Sequence, residues 1–261
     1  MPRLPEINFK ETMKISAVVL AAGQGKRMGL SDGSEIPKVM FKANGKPLAQ
    51  YVIDNLKNAG VNHIVLVVGY KQEIVRDYFK DSVEYAIQTE QLGTGHATLS
   101  AKEKLAGKSD AVLVCCGDSP LYKPETIENL INMFEAEKPT IAMLTVDFEN
   151  PAGYGRIIRD ESGNLESIIE DKDCSEEQLK INECNAGFYI FDANFLWENL
   201  PKIKSNNAQG EYYLTDVVKF AKAEGKKIVA FKVLDETEIL GINTPEQLKQ
   251  VEEILKSRIT N

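Results

Sequence analysis

The 261-residue chain carries 31 Lys and Arg against 39 Asp and Glu, and its formal net charge of -8 argues against a general nucleic-acid-binding surface, which would be basic. Its 43% hydrophobic and 27% charged residues are ordinary for a globular protein. No apolar run approaches the length of a membrane span, so we expect neither a membrane nor a nucleic acid as a partner.

Residues 1–13 are predicted to form a loose N-terminal extension, because they lack the apolar core of a signal peptide. The four cysteines, Cys115, Cys116, Cys174 and Cys184, form no CxxC pair, and the chain has only two histidines. This usage favours neither a zinc site nor a disulfide framework. We therefore expect reduced thiols and a cytoplasmic protein.

A buried strand predicted over residues 16–21 leads into the glycine turn AGQG at 22–25, which is followed by Lys26 and Arg27. Glycines after a strand let the backbone turn sharply and bring its N–H groups close to a ligand. Two adjacent cations make an anion, most commonly phosphate, the expected ligand. A plain turn with solvated basic residues explains the same pattern.

Spacing excludes two familiar phosphate loops. A P-loop needs four residues between its glycines and then Lys-Ser/Thr, whereas one residue separates Gly23 from Gly25 here. The dinucleotide fingerprint needs a third glycine where this chain has Met28.

Strands and helices alternate from residue 15 to about residue 146. Helices are predicted over 47–59, 72–79, 95–105 and 124–137, and strands over 63–68, 83–87, 111–115 and 140–146. This alternation predicts a Rossmann-like, mostly parallel α/β sheet with crossover helices. Ligands of such sheets lie beyond the carboxyl ends of the strands.

The regular alternation of strands and helices ends after residue 147. Segments 156–159 and 165–170 flank the turn DESGN and predict a hairpin. Strands at 183–191 and 227–233 and helices at 193–200, 214–224 and 245–258 close the chain. Because no linker separates the halves, we predict one domain over 14–261, with halves of about 14–146 and 147–261.

The string LAAGQGKRM at 20–28, followed by Pro37-Lys38, resembles the signature of sugar nucleotidyltransferases. These enzymes join a sugar 1-phosphate to a nucleoside triphosphate and release pyrophosphate. The resemblance implies that Arg27 holds the β- and γ-phosphates and that Lys38 lies on the phosphates at the reacting centre. The nucleotide would also contact Leu20, Ala21, Ala22, Gly23 and Gly25. The spacer between the two strings is a few residues longer than the family pattern.

Residues 88–97, QTEQLGTGHA, closely resemble the uracil-reading element of bacterial N-acetylglucosamine-1-phosphate uridyltransferases. By that resemblance Gln88, Gln91 and Gly93 read the base, and Thr94 lies near the sugar and phosphate. As a bare pattern, the segment is an ordinary helix start in which the glycines permit close backbone approach and Thr94 caps the helix.

Asp118 follows a buried strand in the string CGDSP, and Asn243 precedes a Thr-Pro helix start. Mg²⁺ typically takes one or two protein oxygens together with substrate phosphates and water, and an aspartate at a strand's carboxyl end suits that role. The resemblance implies that Asp118 and Asn243 hold one Mg²⁺, the expected cofactor. The alternatives are a turn capped by Asp118 and a helix start with Thr244 as its cap.

Strings in both halves resemble the sugar-binding segments of the same family, among them GYGR, IIEDKD, ECNAG and NNAQGEYYLTD. The sugar contacts implied by them are Cys116, Gly117, Gly155, Glu170, Asn185, Tyr213 and Thr215. The family tends to have tyrosine where this chain has Cys116, and threonine where it has Ala186. Without the resemblance, the residues of the four second-half strings would be surface turns or helix caps.

The implied reaction converts UTP and N-acetylglucosamine 1-phosphate to UDP-N-acetylglucosamine and pyrophosphate. Two rivals stay open: uridylyl transfer to another sugar 1-phosphate such as glucose 1-phosphate, and a catalytically silent relative that binds nucleotide sugars. Since the sequence shows no hexapeptide repeat, we expect a stand-alone pyrophosphorylase without an acetyltransferase half. The oligomeric state is left open.

Overall fold

The computed structural model describes residues 13–25, 28 and 36–260, with the side chains of 259 and 260 excepted. The predicted extension therefore lies outside the described residues except for Met13, and so do Lys26 and Arg27. Among the described residues, no helix is both long and apolar enough to cross a membrane.

A mixed sheet organises the chain, and its strands are flanked by helices on both faces. The strands are β1 (Ile15–Leu20), β2 (Lys42–Ala43), β3 (Lys46–Pro47), β4 (His63–Val68), β5 (Glu84–Ile87), β6 (Ala111–Cys116), β7 (Ile141–Asp147), β8 (Arg156–Arg159), β9 (Leu165–Ile169), β10 (Glu183–Asp192) and β11 (Ile228–Val233). The helices are α1 (Leu48–Asn58), α2 (Gln72–Phe79), α3 (Thr94–Ser100), α4 (Lys102–Leu105), α5 (Pro124–Glu137), α6 (Ala193–Asn199), α7 (Asp216–Ala223) and α8 (Pro245–Thr260).

The main sheet has the order β11-β7-β10-β6-β1-β4-β5, and β8 pairs with both β10 and β9. β2 and β3 form a separate two-stranded sheet. β1 runs parallel to β4 and β6, β4 to β5, and β7 to β11, whereas β10 is antiparallel to both β6 and β7. The predicted Rossmann-like, mostly parallel α/β architecture is confirmed. The antiparallel strand in its middle was not predicted.

Side chains alternate between the two faces of the buried strands, as a pleated strand requires. On β1, Ala17 and Val19 pack into one core beside α1, α2 and α5, while Val18 packs into a second core beside α3, α6 and α7. A third, smaller core joins α8 to the β2–β3 hairpin through residues such as Ala43 and Leu255.

Two local features differ from the sequence prediction. The helix expected over 95–105 breaks at Ala101 into α3 and α4, because the hydroxyls of Thr98 and Ser100 bond carbonyls one turn back and the Ala101 N–H bonds the closer carbonyl of Thr98. The β2–β3 hairpin was not predicted. Its turn residues Asn44 and Gly45 both have positive φ, as a two-residue type I′ turn demands.

Candidate functional site

Two adjoining cavities open at the carboxyl ends of β1 and β6, where the topology places ligands. The smaller has a volume of about 240 Å³ and the larger about 420 Å³, and Leu20, Thr94 and Cys116 line both. The other predicted residues on the smaller cavity are Ala22, Gly23, Lys38, Gln88, Gln91, Gly93 and Asp118. Those on the larger are Gly155, Glu170, Asn185, Thr215 and Asn243. The sequence strings from both halves of the chain thus meet around one hollow.

Lys38 joins the two cavities. Its Nζ forms an ion pair with the Asp118 carboxylate and donates a hydrogen bond to Asn243 Oδ1 over 2.7 Å. The side chains of Lys38 and Asp118 are only 16% and 19% exposed, so little water screens the pair. The backbone supports the arrangement, because the Ile242 N–H donates to the Asp118 carbonyl. Three residues that are far apart in the sequence therefore present their polar atoms at one point.

The glycine turn at 22–25 contacts the backbone of Lys38. The Lys38 N–H donates to the Gly23 carbonyl, and a Cβ on Gly25 would lie 3.2 Å from Lys38 Cα. Gly25 also has a φ of +69°, which favours glycine. Gly25 and the fully buried Ala21 do not line either cavity, so in this structure they build the turn beneath the hollow.

The QTEQLGTGHA segment packs against the segment at 211–214. A Cβ on Gly93 would lie 2.8 Å from the Tyr212 carbonyl, and the Gly95 N–H donates to that carbonyl over 2.7 Å. Thr94 does not cap α3 as the pattern suggested. Gly93 occupies the position before the helix, and Thr94 Oγ1 accepts a hydrogen bond from the Leu214 N–H. The glycines are thus required where two chain segments meet at the rim of the hollow.

The two predicted base-reading glutamines differ in their surroundings. Gln88 is 3% exposed, and its Nε2 donates to the Gly93 carbonyl over 3.2 Å. Gln91 is exposed, and its Oε1 accepts a hydrogen bond from Gln24 Nε2 in the glycine turn. Base reading by these residues stays a prediction, with Gln91 the more accessible of the two.

The larger cavity offers a carboxylate and an amide. Glu170 Oε1 accepts a hydrogen bond from Thr215 Oγ1 over 3.0 Å, and burial raises the pKa of Glu170 above its ordinary value. Asn185 lies half-buried on β10, and its N–H donates to the Gly155 carbonyl. A few polar groups placed around a partly apolar hollow are typical of small-molecule sites.

Cys116 stands where the two cavities meet. Burial, and next to it the Asp118 carboxylate, raises the pKa of Cys116 to about 12, so the thiol keeps its proton near neutral pH. A neutral thiol offers ligands a small apolar surface there.

Two predicted sugar contacts lie behind the walls in this structure. Gly117 does not line either cavity, and its N–H donates to the Leu20 carbonyl; a Cβ would lie 3.0 Å from Val39. Tyr213 is 7% exposed, and its hydroxyl accepts a hydrogen bond from Gln209 Nε2.

Sequence reasoning missed some wall residues. Tyr189 lines the larger cavity although its strand pattern indicated plain core. Gln247 also lines it, and its Oε1 accepts from the backbone of Asn243 and Thr244 while its N–H donates to Thr244 Oγ1. The string TPEQ carries the signal for this reciprocal cap. Thr244 therefore caps α8 while its neighbour Asn243 faces Lys38.

Comparisons with known proteins agree with this geometry. A family model described as the MobA-like NTP transferase domain matches residues 17–175. The bifunctional protein GlmU of Clostridium botulinum is 47% identical over 245 residues, which cover 93% of this chain and 52% of that protein. GlmU of Clostridium perfringens is 44% identical, covering 95% of this chain and 53% of the relative. This chain thus spans about half the length of the curated relatives it matches.

One solved structure shares the fold across nearly the whole chain. UDP-glucose pyrophosphorylase complexed with UDP-glucose superposes with a TM-score of 0.78, at 20% identity, over 95% of this chain and 100% of that one.

Proposed function

Since this chain belongs to the family of MobA-like NTP transferase domains, we propose that it transfers a uridylyl group from UTP to N-acetylglucosamine 1-phosphate, releasing pyrophosphate. The observation that carries the proposal is the convergence of Lys38, Asp118 and Asn243 between two cavities. One cavity is lined by the glycine turn and the glutamine segment, and the other by the carboxylate of Glu170 and the amide of Asn185. The sugar is chosen from the strings around Asn185 and 206–216 and from the GlmU relatives at 44% to 47% identity.

The residues present suit a divalent cation. The Asp118 carboxylate and the Asn243 amide oxygen both bind the single ammonium of Lys38, so two oxygens that Mg²⁺ accepts already converge on one cation. We propose that Asp118 and Asn243 hold Mg²⁺. When bound, this ion would neutralise phosphate charge and orient the substrates.

In the proposed reaction a phosphate oxygen of the sugar 1-phosphate attacks the α-phosphorus of UTP. A new P–O bond forms there, the bond to the β-phosphate breaks, and pyrophosphate leaves with the electron pair. Because the attacking oxygen is already ionised, no side chain has to remove a proton. Catalysis then consists of positioning and charge stabilisation.

This chain's residues divide those tasks. Lys38 places its ammonium beside the phosphates at the reacting centre. Arg27, which lies outside the described residues, holds the departing phosphates in this proposal. Glu170 and Asn185 hold the sugar, and the glycine turn presents its backbone to the nucleotide.

The first test is turnover of Asp118→Asn and Lys38→Ala. Each removes one charge from the reacting centre, so we expect kcat/KM for pyrophosphate release to fall about a hundredfold or more. Lys46→Ala is the matched control, because Lys46 also pairs with an aspartate, Asp54, but lines neither cavity. Circular dichroism establishes that all three variants fold. Near-normal turnover of both site variants would refute the assigned roles.

A substrate panel with Mg²⁺ separates the rivals. N-acetylglucosamine 1-phosphate, glucose 1-phosphate and glucosamine 1-phosphate with acetyl-CoA are each offered with UTP and other nucleoside triphosphates. Preference for glucose 1-phosphate would replace the proposed sugar. Tight binding of UDP-sugars without pyrophosphate release would identify a catalytically silent relative instead.

A further inference from the structure

A β-bulge re-aims two side chains of β10 into the larger cavity. The pairing of β10 with β7 changes register between Asn185 and Tyr189, and Gly187 between them has a φ of +69°. In a regular strand residues four apart are about 13 Å apart along the axis, too far for an asparagine to meet a tyrosine hydroxyl easily. Here the Tyr189 hydroxyl donates to Asn185 Oδ1 over 2.8 Å. Bulges often serve to redirect side chains beside functional sites.

The hydrogen bonds assign the oxygen and the nitrogen of the Asn185 side-chain amide. The Gly187 N–H, which can only donate, lies 3.1 Å from one terminal atom of that amide, so this atom is the oxygen. Tyr189 donates to the same oxygen. Burial raises the pKa of Tyr189 well above its ordinary value, so its hydroxyl keeps the proton that it donates. Asn185 Nδ2 has no hydrogen-bond partner within the part of the chain that the structure describes, and Asn185 lines the cavity.

We infer that Tyr189 is a positioning residue that, together with the Gly187 N–H, holds the Asn185 amide so that its Nδ2 donates to an acceptor oxygen of the sugar. The inference rests on the proposed function, since it assigns a specificity element to that site. Tyr189 is 4% exposed, and its hydroxyl is already engaged by Asn185, so it acts through Asn185.

A second pair of side chains that lines the same cavity presents the complementary polarity. Thr215 Oγ1 binds Glu170 Oε1, and Glu170 Oε2 lies close to Gly155. The cavity thus pairs a fixed amide donor with a carboxylate acceptor. A sugar carrying both a carbonyl or hydroxyl oxygen and an N–H or O–H group matches that pair, whereas a group offering only one polarity leaves a buried partner unsatisfied.

A double-mutant cycle tests the inference in the full chain. Tyr189→Phe removes only the hydroxyl and frees the amide to rotate. We expect KM for the sugar 1-phosphate to rise about five- to tenfold, with KM for UTP and kcat nearly unchanged. In the Asn185→Ala background the same change should have no further effect on KM. Tyr85→Phe is the control. Tyr85 lies on the edge strand β5, its hydroxyl donates to the Lys80 carbonyl, and the residue lines neither cavity.

The outcomes separate failure of the positioning role from failure of the proposed function. Additive effects of the two substitutions, or a Tyr189→Phe protein with unchanged KM, would overturn the positioning role. If the unmodified protein releases no pyrophosphate with any sugar phosphate, the proposed function fails separately. The four proteins of the cycle, namely the unmodified protein, Tyr189→Phe, Asn185→Ala and the double variant, are then compared by calorimetric binding of UDP-N-acetylglucosamine. The inference would then still be supported if Tyr189→Phe lowers this affinity in the protein that has Asn185 but not in the Asn185→Ala background.

Discussion

At the scale of single residues, Glu170 combines a cost in folding with a proposed role in binding, and its surroundings make the cost measurable. Its carboxyl lies partly buried in the larger cavity, where the carboxylates of Asp173, Asp216 and Glu211 act on it. Burial is the largest cause that raises the pKa of Glu170, the Thr215 hydrogen bond opposes it, and the neighbouring carboxylates add to the rise. An ionised Glu170 therefore destabilises the ligand-free protein.

Glu170→Gln should accordingly stabilise the free protein in a pH-dependent way. A carboxyl whose pKa is raised on folding contributes most below its unfolded value, and that contribution is lost as pH rises through the folded pKa. We expect the Tm of Glu170→Gln to match that of the unmodified protein near about pH 4 and to exceed it at about pH 8, while binding of sugar phosphate weakens. Scanning calorimetry across this range measures the difference.

Glu183→Gln is the control of opposite sign. Although burial opposes it, hydrogen bonding and charge from Arg159 lower the pKa of Glu183. Its substitution should therefore lower Tm above the ordinary carboxyl range and lose that effect in acid. A Glu170→Gln protein that is less stable at pH 8 than at pH 4, relative to the unmodified chain, would contradict the argument.

The residues around the hollow were predicted from strings that resemble a known family, whereas the bare patterns were equally compatible with turns and helix caps. Asp118 follows β6, Asn243 precedes α8 and Lys38 begins a short 3₁₀ helix (Lys38–Met40), and the topology brings these three points together. What the strings did not reveal is which residues face the ligand. Gly25 and Gly117 stand in the same strings, yet in the structure each leaves room for neighbouring protein atoms.

At the scale of elements, a buried guanidinium ties together two walls of the larger cavity. Arg156 on β8 is 2% exposed; its Nη1 donates to the Tyr154 carbonyl in the GYGR turn and pairs with Asp171 Oδ1 over 3.1 Å. Asp171 follows Glu170 directly. Both contacts are made by one nitrogen, Nη1, at the end of a planar guanidinium, and the shorter side chain and tetrahedral ammonium of a lysine do not reproduce its reach and orientation.

Arg156→Lys should therefore lower the free energy of unfolding by about 2 kcal/mol, because a buried charge loses one of its hydrogen bonds. KM for the sugar phosphate should rise as the turn beside Gly155 loosens. Urea denaturation measures the first effect and the pyrophosphate assay the second. Arg159→Lys on the same strand is the matched control: the Arg159 side chain, which pairs with Glu183, is 35% exposed against 2% for Arg156, and pairs of exposed side chains contribute up to about 1 kcal/mol. Equal losses in the two variants would show that burial of Arg156 does not matter.

The bounds of an element were predicted correctly wherever the hydrophobic periodicity and the flanking turn or cap residues indicated the same boundaries. The predicted bounds of β4, α2, α5 and β8 coincide with those observed. The β2–β3 hairpin was missed although Asn44-Gly45 is a strong turn signal, since its strands have only two residues each. The β10 bulge could not be predicted, because its register depends on pairing with β7, which lies far away in the sequence.

At the scale of the whole molecule, the two predicted halves share one sheet. β7, from the first half, pairs with β10 and β11 of the second, and β10 inserts between β7 and β6. The first core likewise contains Ala17 and Leu66 from one half and Phe188 and Ile190 from the other. A cut near residue 146 would leave β6 and β7 without the strand that joins them.

We therefore predict that the chain unfolds as one cooperative unit, as the single-domain assignment of 14–261 requires. In scanning calorimetry the ratio of the calorimetric to the van't Hoff enthalpy should lie near unity, since neither half can keep its core when the other melts. UDP-N-acetylglucosamine with Mg²⁺ should shift the whole transition upward, because a ligand held by both cavities stabilises both halves through mass action. Asp118→Asn provides the comparison and should show the same single transition with a smaller ligand-induced shift. Two resolved transitions, of which the ligand moves only one, would mean that the halves are separate domains despite their common sheet.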